Sequence, residues 1–481
     1  MKLEFSLKQN LNAIKEKLTS TDIVFLELKR GINSCLIFVR DLVDKEMLGE
    51  LVLRPLEHAK KDISANQLND LFLSPEKKEI YSVSDVIEEV LLGNAVLICN
   101  NMNFGFSFGL IKFEKRAITE PPTSAVIKGP REGFVESLPV NISMMRRRIK
   151  SSQLQIENFT VGKYSKTTLA VCYVKGIADN NLVKKVKKKI NEIDIDAVLD
   201  SSYISKFIGE HKTSIYKQVG NTEKPDILTA KIMEGRVAIF VDGSPIALTV
   251  PYLLIEDFQS PSDYYNSSYS STLARAIRLI SVFISILLPA FFVTAELFHL
   301  QLIPLSFLLT IVNSIKGIPL SPSFEMFFTL LIFEILNEAS VRMPKYVGMV
   351  VSIVGGLVLG ETAVTAGIIS APTLMIVALS GIFLYTVPEL EQTFSLIRFI
   401  FLIIGGSIGG YGLIIALVGM LIYTVSFESF CTPIFAPFSP LITKDLKDGL
   451  YKGFLIEQTN RPYSIKTKNR VRLNIKKRKE K

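Results

Sequence analysis

The chain has 481 residues, 48% of them apolar, and a formal net charge of +9. This length exceeds one ordinary domain, so roughly two to four folding units are expected. The opening stretch, MKLEFSLKQNLNAIKEKL, lacks the basic and apolar regions of a secretory signal peptide. We therefore expect the first domain to stay in the cytoplasm.

Catalytic and metal-binding patterns are missing from the sequence. The four cysteines form no CxxC pair, and the three histidines stand far apart. No Ser/His/Asp or Cys/His arrangement is suggested, which argues against nucleophilic catalysis. We therefore expect the protein not to be an enzyme and to carry neither a metal nor a cofactor.

The first half of the chain has the charged, mixed pattern of a soluble α/β (α+β) region with two subdomains. In the first, residues 1–116, the runs AVLIC (95–99) and FGLIK (108–112) predict two strands around an Asn-rich turn. The second, residues 117–270, begins with a Pro- and Gly-rich linker. Its segment RVAIFVDGSPIALTVP (236–251) predicts a hairpin with Asp-Gly-Ser in the turn.

Charged residues in the linker and in the helix that follows it are candidates for contacts between domains or subunits. The segment KGPREG (128–133) resembles a phosphate loop only superficially, because it lacks the GK[ST] ending and Pro130 removes a backbone donor. An arginine run (146–148) could bind an anion or lipid, or it could form a solvated face or an intersubunit contact. The residues predicted to make such contacts are Glu120, Arg131, Glu132, Arg146, Arg147 and Arg148.

Residues 271–430 have the composition of a membrane domain with about four to six segments. From residue 346 to 387 the only charged side chain is Glu361, and none occurs from 399 to 427. A helix needs about 20 apolar residues to cross the hydrocarbon core. The final run, 399–427, is either one tilted helix or a broken pair. The segment 300–315 is short and interrupted by proline, which favours a re-entrant or interfacial segment.

The charged residues inside this apolar region are the candidates for a functional role in the membrane. Glu361 lies among small residues, in GGLVLGETAVTAG. It lies either at the membrane edge between two helices or at a pore mouth, where it would favour cations beside an apolar constriction at Val364 or Leu357. Three further glutamates between residues 323 and 341 belong to an interfacial amphipathic helix or make polar contacts between packed helices.

The end of the chain, residues 431–481, is rich in lysine and arginine and is expected to be a basic cytoplasmic tail, disordered over 466–481. Such tails next to membrane segments set topology or face lipid headgroups. The stretch 466–481 contains no aromatic residues that could stack on bases, so we expect membrane lipid rather than nucleic acid as a partner. An even number of crossings would leave both chain ends in the cytoplasm.

Several long motifs resemble one known family. The stretches 116–149 (RAITEPPTSAVIKGPREGFVESLPVNISMMRRRI) and 221–251 (NTEKPDILTAKIMEGRVAIFVDGSPIALTVP) are similar to signatures of the A subunits of GerA-type spore germination receptors. SPSDYY (260–265) and IVGGLVLGETAV (353–364) fit the same pattern, so the resemblance covers nearly the whole chain. Residues 266–267, Asn-Ser, depart from the acidic-basic pair that often follows the two tyrosines in the family.

This resemblance implies a nutrient receptor subunit in the inner membrane of a dormant bacterial spore, with a cytoplasmic N-terminal domain and tail. The family's partners are a transporter-like B subunit, which binds the nutrient, and a lipoprotein C subunit. The family's A subunits are thought to form homo-oligomers, as pentamers, that act as ligand-gated cation channels. Channel opening would release monovalent cations and trigger germination.

Two functions stay open on the residues themselves. A channel-forming receptor subunit predicts a ring of copies with the helix around Glu361 facing a central pore. A non-conducting scaffold that transduces the signal within the germination complex needs no pore. A transporter is disfavoured because no inverted repeat is visible.

Overall fold

The computed structural model describes residues 1–28, 32–58, 68, 71–72, 74, 76–111 and 128–473. The chain divides into two compact units. The first comprises residues 1–253, a short return at 428–432, and the chain from Leu455 onward. The second comprises residues 254–427 and 433–454.

The first half of unit 1 is an antiparallel sheet with helices on both faces. Its elements are α1 (Leu7–Lys17), β1 (Ile23–Leu28), β2 (Ser34–Val39), α2 (Lys45–Leu48), α3 (Arg54–His58), β3 (Lys77–Ile80), α4 (Val83–Leu92), β4 (Ala95–Cys99) and β5 (Gly105–Phe108), with strand order β1-β2-β4-β5-β3. The apolar sides of α1 and α4 pack on one face of the sheet. The helical segment from α2 to α3 packs on the other face, so both sides of β2, β4 and β5 are buried.

The predicted strand at 95–99 is confirmed, but the strand predicted at 108–112 is wrong over 109–111, because the observed strand ends at Phe108. Lys112 lies outside the described residues. The observed strand β5 covers Gly105–Phe108 and pairs with β4 so that Ala95 lies opposite Phe108. Because β4 begins at Ala95, the residues after Phe108 find no partner on it. The turn is therefore shorter than the Asn-rich sequence suggested.

The second half of unit 1 repeats this layered arrangement with another antiparallel sheet. Its elements are α5 (Leu138–Arg148), β6 (Leu154–Val161), β7 (Thr167–Val174), α6 (Asn180–Asn191), α7 (Ser201–Ile208), β8 (Gly220–Thr222), α8 (Pro225–Met233), β9 (Val237–Val241) and β10 (Ala247–Val250), in strand order β6-β7-β9-β10-β8. Helices α6 and α7 cover one face, and α5 and α8 cover the other. The predicted hairpin is confirmed, with Leu248 of β10 opposite Ile239 of β9.

The chain returns to unit 1 after its apolar region, which the sequence did not predict. The Arg461 Nε donates to the Met233 carbonyl at 2.6 Å, and the Ile465 side chain is fully buried. Thr467 forms a β-bridge with Ala178. Residues up to 473 are therefore ordered here rather than forming a free tail; the rest of the basic end lies outside the described residues. The ordering contacts are backbone acceptors, which composition does not reveal.

Unit 2 is helical. Its helices are α9 (Ser262–Tyr265), α10 (Ser268–Phe298), α11 (Leu305–Ile315), α12 (Pro322–Arg342), α13 (Lys345–Thr365), α14 (Ala371–Leu384), α15 (Glu391–Ile408) and α16 (Gly410–Val425). A short hairpin, β11 (Glu428–Ser429) and β12 (Thr432–Pro433), follows where the chain returns to unit 1 at residues 428–432. Among the described residues, three helices are long and apolar enough to cross a membrane, namely Ser268–Phe298, Tyr346–Thr365 and Pro388–Ile408. A mixed α/β region followed by apolar helices is the fold class that the sequence predicted.

Side-chain contacts show that six of these helices alternate in direction. Asn337 and Glu334 of α12 contact Glu391 and Arg398 of α15, so the two helices run antiparallel. Thr294, near the end of α10, donates to the carbonyl of Gly405, near the end of α15, so these two run parallel. The sharp turns before α13 and α14 reverse the chain twice more.

The last reversal depends on one glycine. Gly409 has φ +77° and ψ −154°, a backbone conformation that residues with a Cβ rarely adopt. This turn folds α16 back, so that Leu413 lies against Gly405 of α15. Of the two interpretations that the sequence left open for this run, the broken pair is the one observed.

Candidate functional site

The three residues predicted to line a pore share one face of helix α13. Leu357, Glu361 and Val364 are spaced i, i+4 and i+7, which places them on one stripe of an α-helix. The Leu357 side chain is 64% exposed and Glu361 is also exposed, whereas Val364 is half-buried. Within one copy of the chain, Leu357 and Glu361 therefore lie on an exposed surface, and Val364 lies at its partly covered edge.

Two glycines of α13 explain its close packing on α12. A Cβ at Gly348 would lie 2.6 Å from the Ser340 carbonyl oxygen, and one at Gly355 would lie 3.1 Å from Leu336. Small residues let two helices approach closely. By contrast, a Cβ at Gly356 would meet open space. Gly348 and Gly355 therefore serve packing on α12, whereas Gly356 and the exposed Leu357 face open space.

The glutamates of α12 fall into two classes. Glu325 is buried and accepts hydrogen bonds from the backbone N and the Oγ of Ser370, at 2.7 and 2.6 Å. Ser370 is the N-cap of α14, so this carboxylate fixes the turn between α13 and α14. Glu338, by contrast, is exposed and pairs with Arg342. The first contact is a polar contact between packed helices, one of the two alternatives that the sequence left open.

Glu334 binds a residue that the sequence reasoning missed. Its partner is Arg398 of α15, whose side chain is 0% exposed. The Arg398 Nη1 also donates to Ser380 Oγ of α14 at 2.8 Å, and Ser395 Oγ donates to Glu334 at 2.6 Å. The sequence feature that indicates this pair is a lone arginine directly before the charge-free run 399–427. A charged residue in an apolar segment is usually paired with a residue of opposite charge.

In unit 1, the arginine run has two different environments. Arg146 is 1% exposed and forms a bidentate pair with Asp22, with two nitrogen–oxygen distances of 2.7 Å. Asp22 precedes the first sheet and Arg146 precedes the second, so this pair joins the two halves of unit 1. Thr21 N also donates to the Ile156 carbonyl of β6 at 3.2 Å.

The neighbouring arginines bind the linker. Arg148 Nη2 lies 2.5 Å from Glu132 and Arg147 Nη2 lies 3.5 Å from it. Burial would raise the pKa of the Glu132 carboxyl, but the two arginines hold that pKa below its usual value. Arg131 is exposed, and Glu120 lies outside the described residues. Whether these residues contact another subunit stays a prediction.

A cluster of charges surrounds the start of α10, and we call it the Asp263 cluster. The Asp263 carboxylate, 2% exposed, accepts from Arg275 Nε at 3.0 Å and from Arg278 Nη1 and Nη2 at 3.0 and 2.5 Å. Burial would raise the pKa of Asp263, but the hydrogen bonds and charges of the two arginines hold it below the ordinary value. The motif SPSDYY therefore supplies the counter-charge for the first two arginines of the apolar region.

The segment after the last apolar helix completes this cluster. The Asp448 carboxylate lies 3.3 Å from Arg275 Nη1 and 3.0 Å from Lys452 Nζ. The Lys452 ammonium also sits 3.8 Å from the centre of the Tyr264 ring, a cation–π distance. Residues 433–454 are thus tied to the beginning of α10 by charge as well as by packing.

Metal-binding groups are not evident in the described parts of the chain. Among those residues, no group of three or more His, Cys, Asp or Glu side chains is placed to hold a metal ion. The four cysteines are free, and burial raises the pKa of the Cys35 and Cys99 thiols to about 12.

Comparisons with known proteins agree over nearly the whole chain. A family model described as Bacillus/Clostridium GerA spore germination protein matches residues 9–464. Spore germination protein KA of Bacillus subtilis (strain 168) is 35% identical over 97% of this chain and 88% of its own length. Spore germination protein GerLA of Bacillus cereus is 31% identical over 98% of this chain and 97% of its own length.

One solved structure is also similar. It is the crystal structure of the N-terminal domain of the A subunit of the Bacillus megaterium spore germinant receptor GerK3. The identity is 28% and the TM-score is 0.40, over 53% of this chain and 98% of that chain.

Proposed function

Because the chain belongs to the Bacillus/Clostridium GerA spore germination protein family, we propose that it is a membrane subunit of a spore nutrient receptor whose copies assemble into a cation channel. The proposed partners are a transporter-like, nutrient-binding B subunit and a lipoprotein C subunit. A pentamer is the proposed form of the ring. The proposed location is the inner membrane of the spore.

The observation that carries the channel proposal is the free face of α13. Only 15% of the apolar window of Tyr346–Thr365 is buried within the chain, against 44% for Ser268–Phe298 and 33% for Pro388–Ile408. An apolar helix with so little intrachain packing must be covered by lipid, by a partner subunit or by other copies of the chain. Its exposed carboxylate, Glu361, is costly against lipid but favourable beside water.

The chemistry of the stripe suits a cation path. In a ring of copies, the Glu361 carboxylates would form a circle of negative charge, which concentrates cations at a pore mouth. The Val364 and Leu357 side chains would form apolar rings on either side, and narrow apolar rings close a pore by excluding water. The closed state therefore needs no charged plug.

The alternating helices support an even number of crossings. The chain up to Leu253 and the chain from Leu455 onward both belong to unit 1, which requires the chain to return to the side from which it started. We propose six crossings, by α10, α12, α13, α14, α15 and α16. Helices α14 and α16 have 14 and 16 residues, about 21 and 24 Å, and local thinning of the bilayer accommodates such short spans.

The positive charges favour the cytoplasm for unit 1. Arg275 and Arg278 flank the first crossing, and Arg342 and Lys345 flank the turn between α12 and α13. Both pairs fall on the same side when the six helices alternate, as the positive-inside rule requires. The basic end of the chain lies on that side too.

We expect Glu361→Gln and Val364→Ala to change potassium release from germinating spores without changing protein level or assembly. Removing the carboxylate should lower the rate of cation release, because the local cation concentration falls. Shortening Val364 should raise release before nutrient is added, because the apolar constriction widens. Potassium release is measured with an ion-selective electrode, and co-purification of the receptor subunits reports assembly.

Glu338→Gln serves as a matched control, since it removes an exposed carboxylate from the adjacent helix α12. Normal potassium release in both pore variants, with assembly intact, would remove α13 from the ion path. The non-conducting scaffold would then be the better account of this subunit.

A further inference from the structure

One buried polar network connects four apolar helices of unit 2. Arg398 of α15 donates to Glu334 of α12 and, at 2.8 Å, to Ser380 Oγ of α14. Ser380 Oγ donates in turn to the Ser285 carbonyl of α10 at 2.8 Å. Ser395, one turn before Arg398, donates to the same Glu334 oxygen. A single guanidinium therefore sets the positions of α10, α12, α14 and α15 relative to one another.

Burying the charged groups of this network between helices carries a desolvation cost. Glu334, Ser285 and Arg398 each lie near the middle of their helices, where the proposed crossings are deepest. Charged residues at such depth are rare and usually functional. Packing alone does not require them, because well-packed apolar residues often replace a buried ion pair without loss of stability. A charged pair at this place points to a role beyond packing.

The network is also incomplete in the arrangement observed. Arg398 Nε and Ser285 Oγ are both buried and have no hydrogen-bond partner in the structure. A buried polar network that is only partly satisfied is less stable than a complete one. The two unmet groups lower the free-energy cost of leaving the observed arrangement, so a different position of α12 along α15 can compete with it.

Movement of α12 is transmitted to the proposed pore helix. The close approach of Gly348 to the Ser340 carbonyl ties the beginning of α13 to the end of α12. At the opposite end of α12, Glu325 holds Ser370, the N-cap of α14 in the turn that follows α13. Helix α13 is thus attached to α12 at both of its ends, so a shift of α12 moves Leu357 and Glu361 as well.

We propose that the Glu334–Arg398 pair is a latch that holds α12, and with it α13, in the resting arrangement of the subunit. The proposal rests on the receptor function proposed above. In it, release of this pair is the step between the nutrient signal and the opening of the channel. Glu334 and Arg398 are positioning residues, because neither lies on the Leu357–Glu361–Val364 stripe. Loosening the latch lowers the signal needed for the response.

The test compares spores carrying Glu334→Gln, Ser395→Ala or Glu338→Gln with wild-type spores. A dilution series of rich nutrient broth gives the half-maximal concentration for potassium release, and release without broth is recorded separately. Glu334→Gln weakens the latch, and we expect it to respond at roughly tenfold lower broth concentration, within the usual range of allosteric coupling. Ser395→Ala removes one hydrogen bond and should shift the response in the same direction by a smaller factor.

Glu338→Gln is the matched control and should respond like wild type, because Glu338 is exposed and lies outside the network. The latch is contradicted if Glu334→Gln and Ser395→Ala both assemble normally and respond like this control. It is also contradicted if they need more broth, or if Glu334→Gln fails to assemble while Ser395→Ala responds normally. The last result would mean a packing role only.

Failure of the latch and failure of the channel are distinguishable. The latch is read from the broth concentration at half-maximal response, whereas the pore is read from potassium release in the Val364 and Glu361 variants. Should those pore variants release potassium normally while Glu334→Gln still shifts the half-maximal concentration, the latch stands in a subunit that transmits the signal without conducting ions.

Discussion

Replacing Arg146 with methionine is expected to destabilise unit 1 by about 3–5 kcal/mol, because it leaves the Asp22 carboxylate buried without its cation. The Arg146–Asp22 pair is a charged link between the two sheets, and both side chains are 2% exposed or less. Ser20 Oγ donates a hydrogen bond to Asp22 and accepts one from Arg146. The variant therefore also removes the hydrogen bond that Ser20 accepts. The free energy of opening is measured by native-state hydrogen exchange at the amides of β6 and of residues 20–23.

A neighbouring arginine provides the control for this prediction. Arg147→Met removes a partly exposed charge 3.5 Å from Glu132 and should cost less than about 1 kcal/mol. Adding Asp22→Asn to Arg146→Met should recover part of the lost stability, because no buried charge remains. Equal costs for Arg146→Met and Arg147→Met would show that the buried pair does not hold the two sheets together.

Asp263→Asn is expected to cost about 3 kcal/mol or more, since it leaves the buried Arg275 and the partly buried Arg278 without their shared carboxylate. The loss is measured as a lower thermal unfolding midpoint of the full-length protein in detergent at pH 6. Lys452→Met is a milder change in the same cluster, because Asp448 and Arg275 remain paired.

The cost of Asp263→Asn should depend on pH in a definite direction. The folded-state pKa of Asp263 lies below its ordinary value, so the carboxylate stabilises the fold above about pH 4. That contribution is lost as the pH falls from there through the folded-state pKa. The difference in midpoint between wild type and Asp263→Asn should therefore shrink from pH 6 to pH 3. A difference that stays constant would mean that the charge of Asp263 is not what stabilises the cluster.

Local sequence patterns were sufficient for the strand at 95–99, the hairpin and the apolar helices. Short apolar runs such as AVLIC (95–99) predict buried strands, and long charge-free runs predict helices of membrane length. The stripe of Leu357, Glu361 and Val364 also follows from helical spacing alone. These features depend on residues close in sequence, where periodicity is informative.

Contacts between distant residues could not be predicted in this way. Arg146 and Asp22 are 124 positions apart, and Arg398 and Glu334 are 64 apart, so no local pattern links them. The basic end of the chain resembled a disordered tail because its ordering contacts use backbone carbonyls, as Arg461 does with Met233. Composition records the side chains of such a segment but not the acceptors that it meets.

The most direct test of the channel proposal is whether position 357 lines a water-filled cation path. The receptor complex, with Leu357→Cys placed in a Cys431→Ser background, is reconstituted in vesicles and treated with a positively charged thiol reagent while potassium flux is recorded. Cys431 is the exposed native cysteine, and the other three are buried. The control is Ile415→Cys, an exposed apolar position on α16.

The proposal predicts that the reagent blocks nutrient-dependent flux in the Leu357→Cys variant and leaves flux unchanged in the Ile415→Cys variant. Unblocked flux in both variants, with labelling of the introduced thiol at position 357 verified, would contradict it.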